Sequence, residues 1–260
     1  MKYAIATADN RRSKMWRNRQ VTWEELADML ANNRVTGETM AEYRAMKKDD
    51  QDDRKDVGGF VGGHLRGGVR NAASVTARSL ITLDMDDCTE TAPLMVDVTL
   101  AGTAYVMYST HKHTTEKPRL RLVLPLSREV TPEEYVPIAR RIAETVGIDM
   151  FDDSTYEPAR LMYWPSSSVD GEVVYTSTPG AAVDVERVLA SYRDWRDVSE
   201  WPVSSRVQAI VTRRADKAEE REKELANKVK IGSVLKARGI TLTALRENGR
   251  PASKIKQATT

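Results

Sequence analysis

Residues 119–126, RLRLVLPL, alternate in the way a strand does. Successive side chains of a strand point to opposite faces, so Leu120, Leu122 and Leu124 line one side and Arg119, Arg121 and Val123 the other. The leucine side must be buried. The arginine side, with Lys117 just before it, offers a basic face to a phosphate-sized target. Neighbouring segments extend the pattern. SVTARSLITLDMDD (74–87) reads as a strand ending in acidic residues, TAPLMVDVTLAG (91–102) as a short helix or connection, and TAYVMYST (103–110) as a β-branched and aromatic strand. TPEEYVPIARRIAETVG (131–147) is an amphipathic helix with Thr131 as its cap and Pro132 at its first position. GEVVYTS (171–177) is a further strand, and a helix over about 184–194 closes the pattern. Strands with intervening helices predict an α+β domain over residues 1–202 rather than a long doubly wound sheet.

The first part of the chain is less regular. Residues 2–8 fit a short strand, and Arg11, Arg12, Lys14, Arg17 and Arg19 cluster around Trp16. Thr22 with Glu25 makes a capping box before WEELADMLAN, and a second helix is predicted across ETMAEYRAMKK, ending in the polar run 49–56. GGFVGGHLRGGVR then holds six of the chain's 14 glycines in residues 58–68. That spacing suits a glycine-turned hairpin or a backbone brought close to a nucleotide or template strand.

Composition narrows the chemistry. One cysteine, Cys88, excludes an intramolecular disulfide and a multi-cysteine metal site, and three histidines (His64, His111, His113) limit a histidine-built one. Any metal should therefore be held by carboxylates. No apolar run approaches about 18 residues and no long apolar segment opens the chain, so a soluble cytoplasmic protein without membrane contact is expected. The net charge of +2 is unevenly spread: residues 204–260 carry 14 Lys+Arg against 6 Asp+Glu, a net of +8, which leaves −6 for the rest. Residues 203–260 thus read as a basic helical segment, accessory domain or tail, whose partner would be nucleic acid before membrane. Interleaved Lys and Glu over 213–224 also suit a solvated, salt-bridged helix.

Three motifs carry candidate chemistry. Asp84 and Asp86 stand two apart at a strand end and so project together. Paired carboxylates repel unless a cation lies between them, and oxygen-only ligation suits Mg²⁺ or Mn²⁺. Ser109-Thr110-His111-Lys112-His113 ends the next strand and sets a histidine among cations, apt for a triphosphate, although a strand-end histidine also makes ordinary hydrogen bonds. Asp149, Asp152 and Asp153 each could add a third metal ligand, or could simply build a polar turn.

The order of these motifs, Asp84 and Asp86, then Ser109-Thr110-His111, then Phe151-Asp152, resembles the archaeo-eukaryotic primase superfamily, most nearly the primase-polymerase domains of phages and mobile elements. KPRLRLVLPLSR and DSTYEPARLMYWPS strengthen a likeness that spans about residues 55–200. It implies a primase-polymerase fold, with a catalytic sheet like that of an RNA-recognition motif joined to an N-terminal α/β unit. It implies two divalent ions, Mg²⁺ or Mn²⁺, held by Asp84, Asp86 and Asp152, with Asp153 or Asp149 as alternatives to the last. His111 would contact the incoming nucleotide's phosphates, and Ser109, Lys112, Arg119, Arg121 and Arg160 would complete the nucleotide site. The implied activity is template-directed synthesis or extension of primers on single-stranded DNA from NTPs or dNTPs, in phage or mobile-element replication within a bacterial host. No GxxxxGK[ST] loop occurs, so the chain would be either a stand-alone primase or a domain working with a separate replicative helicase. Two other readings remain. One is a replication-initiator endonuclease using His111 and His113 with a tyrosine nucleophile such as Tyr135. The other is a non-catalytic nucleic-acid-binding replication accessory.

Overall fold

The computed structural model describes residues 1–237, 241–247 and 250–256. The chain divides into two compact units, Met1–Ser204 and Ser205–Thr260. The first unit runs β1 (Lys2–Ala8), β2 (Arg17–Thr22), α1 (Trp23–Ala31), β3 (Arg34–Val35), α2 (Met40–Ala45), α3 (Lys48–Arg54), β4 (Gly59–Val61), β5 (Gly63–Leu65) and β6 (Val75–Met85). It continues through α4 (Ala92–Thr99), β7 (Tyr105–Ser109), β8 (Leu120–Val130), α5 (Pro132–Val146), β9 (Met162–Tyr163), β10 (Ser166–Ser167), β11 (Tyr175–Thr178) and α6 (Val185–Leu189). Five strands form an antiparallel sheet in the order β11-β7-β8-β6-β5, and four form a second, β2-β1-β4-β9. Sheets and packed helices together make the α+β class.

Alternation decides what each strand buries. Ile81, Leu83 and Met85 pack with Leu120, Leu122 and Leu124 against Val96 of α4, Ile138 and Ala139 of α5 and Leu189 of α6. The opposite face contributes Leu80, Val106, Tyr108 and Val123 to a second core with Ile5, Val21 and Phe60 of the other sheet and Leu26 and Leu30 of α1. Asp84, Arg121 and Tyr108 stand in register across β6, β8 and β7, and by parity they belong to this second face. The sheet thus turns its charged row toward the N-terminal strands, away from the helices.

Helix starts follow the sequence signals. Thr22 with Glu25, Thr39 with Glu42 and Thr131 with Glu134 all form reciprocal capping boxes, each worth about 1 kcal/mol. Elsewhere the structure departs from expectation. The predicted second helix stops at Ala45, and the polar run after it forms its own helix, α3. Asp52 there takes Lys48 and Lys55 at 2.7 Å each, and Arg11 reaches Asp53, so the acidic run is neutralised well enough to wind.

The glycine segment is not a hairpin. β4 pairs with β1 and β9 while β5 pairs with β6, so the chain crosses from one sheet to the other at Gly62. A Cβ on Gly63 would collide with the Ala77 carbonyl oxygen. Gly63→Ala is therefore expected to lose about 1–3 kcal/mol, measured by urea unfolding; an unchanged midpoint would contradict this packing.

The second unit begins with α7 (Ser205–Ala237), followed by the antiparallel pair β12 (Thr241–Glu247) and β13 (Arg250–Lys256). Helix throughout 203–260 is thus corrected, because its last part pairs as strands. No helix among the described residues is long and apolar enough to cross a membrane.

Candidate active site

A cavity of about 790 Å³ opens at the end of β6, with Asp84 and Asp86 in its wall. Nine of its lining side chains are Lys or Arg and five are Asp or Glu, a net of +4. Asp84 is 7% exposed, and its Oδ1 accepts no hydrogen bond, although Arg121 Nε stands 3.3 Å away. Burial works against the Arg121 charge, yet Asp84 holds its pKa above the usual value. Asp86 is more open and pairs with Arg119 at 2.9 Å. Burial, then repulsion from Asp84, push its carboxyl above the usual range.

Asp152 reaches the same place from the loop after α5, its backbone N–H donating to the Asp84 carbonyl at 2.9 Å. Its carboxylate accepts from Ser154 N and Oγ at 2.9 and 2.8 Å and from Arg160 Nη2 at 2.6 Å. Burial opposes its ionisation, but the Ser154 bonds and Arg160 hold its pKa below the usual value. The same Arg160 nitrogen lies 3.7 Å from Asp84 Oδ2. Asp84, Asp86 and Asp152 are neighbours, then, each against an arginine. Among the described residues no three His, Cys, Asp or Glu side chains converge as a ready metal cage. Asp149 is exposed and Asp153 accepts from Ser204 Oγ at 2.6 Å; neither of these, nor Asp152 itself, lines the cavity, and what ties Asp152 to Asp84 is the backbone bond and the shared Arg160.

His111 lines the cavity but has no free nitrogen. Nδ1 is 3.0 Å from Ser166 Oγ and Nε2 is 3.0 Å from Glu38 Oε1. Lys112, Arg119, Arg121 and Arg160 all reach the cavity. Ser109 does not: it is buried, and its hydroxyl accepts the Val174 amide at 3.0 Å. A strand-borne histidine pair is also absent, since β7 ends at Ser109 and His113 Nδ1 accepts the Arg119 amide at 3.2 Å. Tyr135 is fully buried with its hydroxyl on Arg78 Nη2 at 3.1 Å, which removes it as a nucleophile.

Residues 1–204 match the VapE N-terminal domain family. The chain belongs to that family. Among solved structures, the AEP domain of the cyanophage S-2L primase-polymerase (PrimPol) is similar at 14% identity, over 73% of this chain and 88% of that one, with a TM-score of 0.40. No curated protein matches the chain. The resemblance to primase-polymerases read from the motifs is borne out at the level of family.

In this VapE N-terminal domain the cavity also uses residues that motif spacing does not single out. Arg11, Arg12 and Arg70 line it together with Lys48 of α3 and Lys55, the residue that caps that helix. The basic cluster around Trp16 was the available signal for the first two. Tyr163 and Ser166 come from short strands after the Asp152 loop and carry no such signal.

Proposed function

We propose that this domain is a template-directed nucleotidyltransferase that synthesises or extends primers on single-stranded DNA. The observation that carries the reading is the pairing of Asp84 and Asp86 with a surplus of cations in one cavity. Carboxylates alone would repel a triphosphate, and cations alone would bind it without chemistry; the cavity has both. The split order β6-α4-β7-β8-α5, with β8 between β6 and β7, supports relating the sheet to an RNA-recognition motif.

The donor set suits Mg²⁺ or Mn²⁺. Asp84 offers a buried oxygen that accepts no hydrogen bond, Asp86 is accessible, and every candidate ligand atom is a carboxylate oxygen. Asp152 would join them only on giving up Arg160. Divalent ions held there would lower the pKa of the attacking 3′-hydroxyl and stabilise the departing pyrophosphate. The protein's own part is charge exchange and positioning. Arg119 and Arg160, now on Asp86 and Asp152, are the cations a triphosphate would take over. Arg121 is buried and stays with Asp84, fixing its orientation. Arg70, whose Nη1 donates to the Ala159 carbonyl, is suited to template phosphates, whereas Arg11 and Arg12 are engaged with the acidic residues of α3.

The test is labelled-nucleotide incorporation on single-stranded DNA with Mg²⁺ or Mn²⁺, in the presence of a separately supplied helicase and without it. Product that disappears with a chelator is expected. No product from NTPs or dNTPs under either metal overturns the reading. A second reading, a non-catalytic replication accessory, is favoured by one observation: each of the three carboxylates already has an arginine. It predicts DNA binding without incorporation.

A further inference from the structure

Building on the nucleotide site just described, we propose that Glu38, His111 and Ser166 form a proton-coupled relay in which Ser166, rather than His111, donates to the nucleotide's phosphates. His111 is 4% exposed, the Tyr43 ring lies on it with centroids 4.4 Å apart, and both nitrogens are engaged. Ser166 lines the cavity, whereas Glu38 is not part of its wall. Of the three, only Ser166 and His111 reach a ligand, and His111 has no nitrogen to spare.

The two outer members are clamped together. β3 and β10 pair in parallel, Thr36 N donates to Ser167 O at 3.0 Å, and Val169 N donates to Glu38 O at 2.9 Å. Thr36 Oγ1 adds a bond to Glu38 Oε1 at 2.8 Å. Glu38 is thus a positioning residue, held on the N-terminal strands and acting through the ring.

The proton positions follow from valence. A neutral ring donates from Nε2 to Glu38 and accepts at Nδ1, so Ser166 must spend its hydrogen on His111. A protonated ring donates from both nitrogens. Ser166 Oγ then accepts from Nδ1, and its hydrogen is free to turn toward a phosphate oxygen. The groups facing the ring are Glu38, Tyr43 from α2, Arg54 and Lys55 from the end of α3, and Ser166 with Ser168. Burial is the largest influence and, with Lys55 and Arg54, lowers the His111 pKa, while Glu38 opposes them. The ring therefore rests neutral near neutral pH, and phosphate charge in the cavity draws a proton onto it. The protonated state binds better, so affinity is highest below the His111 pKa and falls as pH rises through it.

Calorimetric titration of ATP with Mg²⁺, from about pH 5 to about pH 8, tests this on the full chain. Wild type is expected to show affinity rising as pH falls, with proton uptake on binding. Glu38→Gln removes the charge that favours the protonated ring, so the midpoint should move to lower pH. Ser166→Ala should lose about 10-fold in affinity at the acidic end and flatten the profile beyond what ATP's own titration contributes; Ser166→Thr should restore it. A wild-type pH profile in Ser166→Ala, or an unmoved midpoint in a Glu38→Gln protein that melts normally, overturns the relay. Should Glu38→Gln fail to fold, the two Ser166 variants decide. ATP bound by wild type without the pH response removes the relay alone, and no ATP bound at any pH removes the nucleotide site with it.

Discussion

Asp86→Ala is expected to reduce primer synthesis by about 10³-fold or more while leaving the melting temperature close to that of wild type, whereas Asp84→Ala is expected to lose both. The activity estimate corresponds to removing about 4 kcal/mol of transition-state stabilisation, the scale of a lost metal ligand. The difference in stability comes from burial. Asp86 and Arg119 keep 38% and 26% of their side chains exposed, and such a pair contributes about 0–1 kcal/mol. Asp84 and Arg121 are at 10% and 9%. Removing Asp84 strands a buried guanidinium, which costs about 3–5 kcal/mol, or a fall in melting temperature of about 6–20 °C at this size. Pairing Asp84→Ala with Arg121→Met should recover much of the stability and none of the synthesis. Calorimetry and incorporation assays on the same preparations read both quantities. Incorporation by Asp86→Ala at the wild-type rate would show that this carboxylate takes no part in chemistry.

Sequence periodicity made the sheet legible because both its faces are used. Leu120, Leu122 and Leu124 announced the helix-side core, and the same parity put Arg121 with Asp84, on the other side. What periodicity could not supply is register. That Arg121 is the counter-ion of Asp84 depends on how β6 and β8 align, and a bulge between Arg78 and Leu80 shifts that alignment. Ser109 was placed in the nucleotide site by the resemblance of Ser109-Thr110-His111 to the primase motif, but β11 packs beside β7 and Val174 claims its hydroxyl. Glu38 was invisible for a simpler reason: it meets His111 through two-residue strands, too short to show a period. The polar run of α3 gave no helix of its own in the sequence because part of its support, the Arg11 and Arg12 contacts, comes from another segment. In the C-terminal unit a period of two was present in Thr241, Leu242, Thr243 and Ala244, and the basic charge of the segment drew the reading to helix instead.

Arg78→Met should cost as much stability as Asp84→Ala, although it touches neither the cavity nor any carboxylate proposed for metal. Arg78 has no exposed surface, and its electrostatic partner is Tyr135 rather than an acid; burial, opposed by Tyr135, lowers its pKa. Its guanidinium makes four hydrogen bonds: Nη1 to Pro158 O at 2.6 Å, and Nη2 to Leu80 O, Thr82 Oγ1 and Tyr135 Oη at 3.0, 2.8 and 3.1 Å. It also lies 4.0 Å from the Tyr135 ring centroid. Pro125, opposite Leu80 in the middle of β8, has no N–H to give. It is tolerated because Leu80 turns its N–H to Gly62 O and its carbonyl to Arg78. Methionine fills similar volume but donates to none of them; the Thr82 and Tyr135 hydroxyls keep each other, while the Pro158 and Leu80 carbonyls each lose a buried donor at about 1–3 kcal/mol. With some relaxation the total should be about 3–5 kcal/mol, a fall of about 6–20 °C in melting temperature. Arg78→Lys should fall between, since an ammonium cannot span Pro158 and Tyr135 as the planar fork does. Pro158 belongs to the loop that carries Asp152 and Arg160, so the surviving folded fraction of Arg78→Met should also bind ATP more weakly. A melting temperature for Arg78→Met within about 2 °C of wild type, less than 1 kcal/mol at this size, would mean that Arg78 is not what fastens the loop to the sheet.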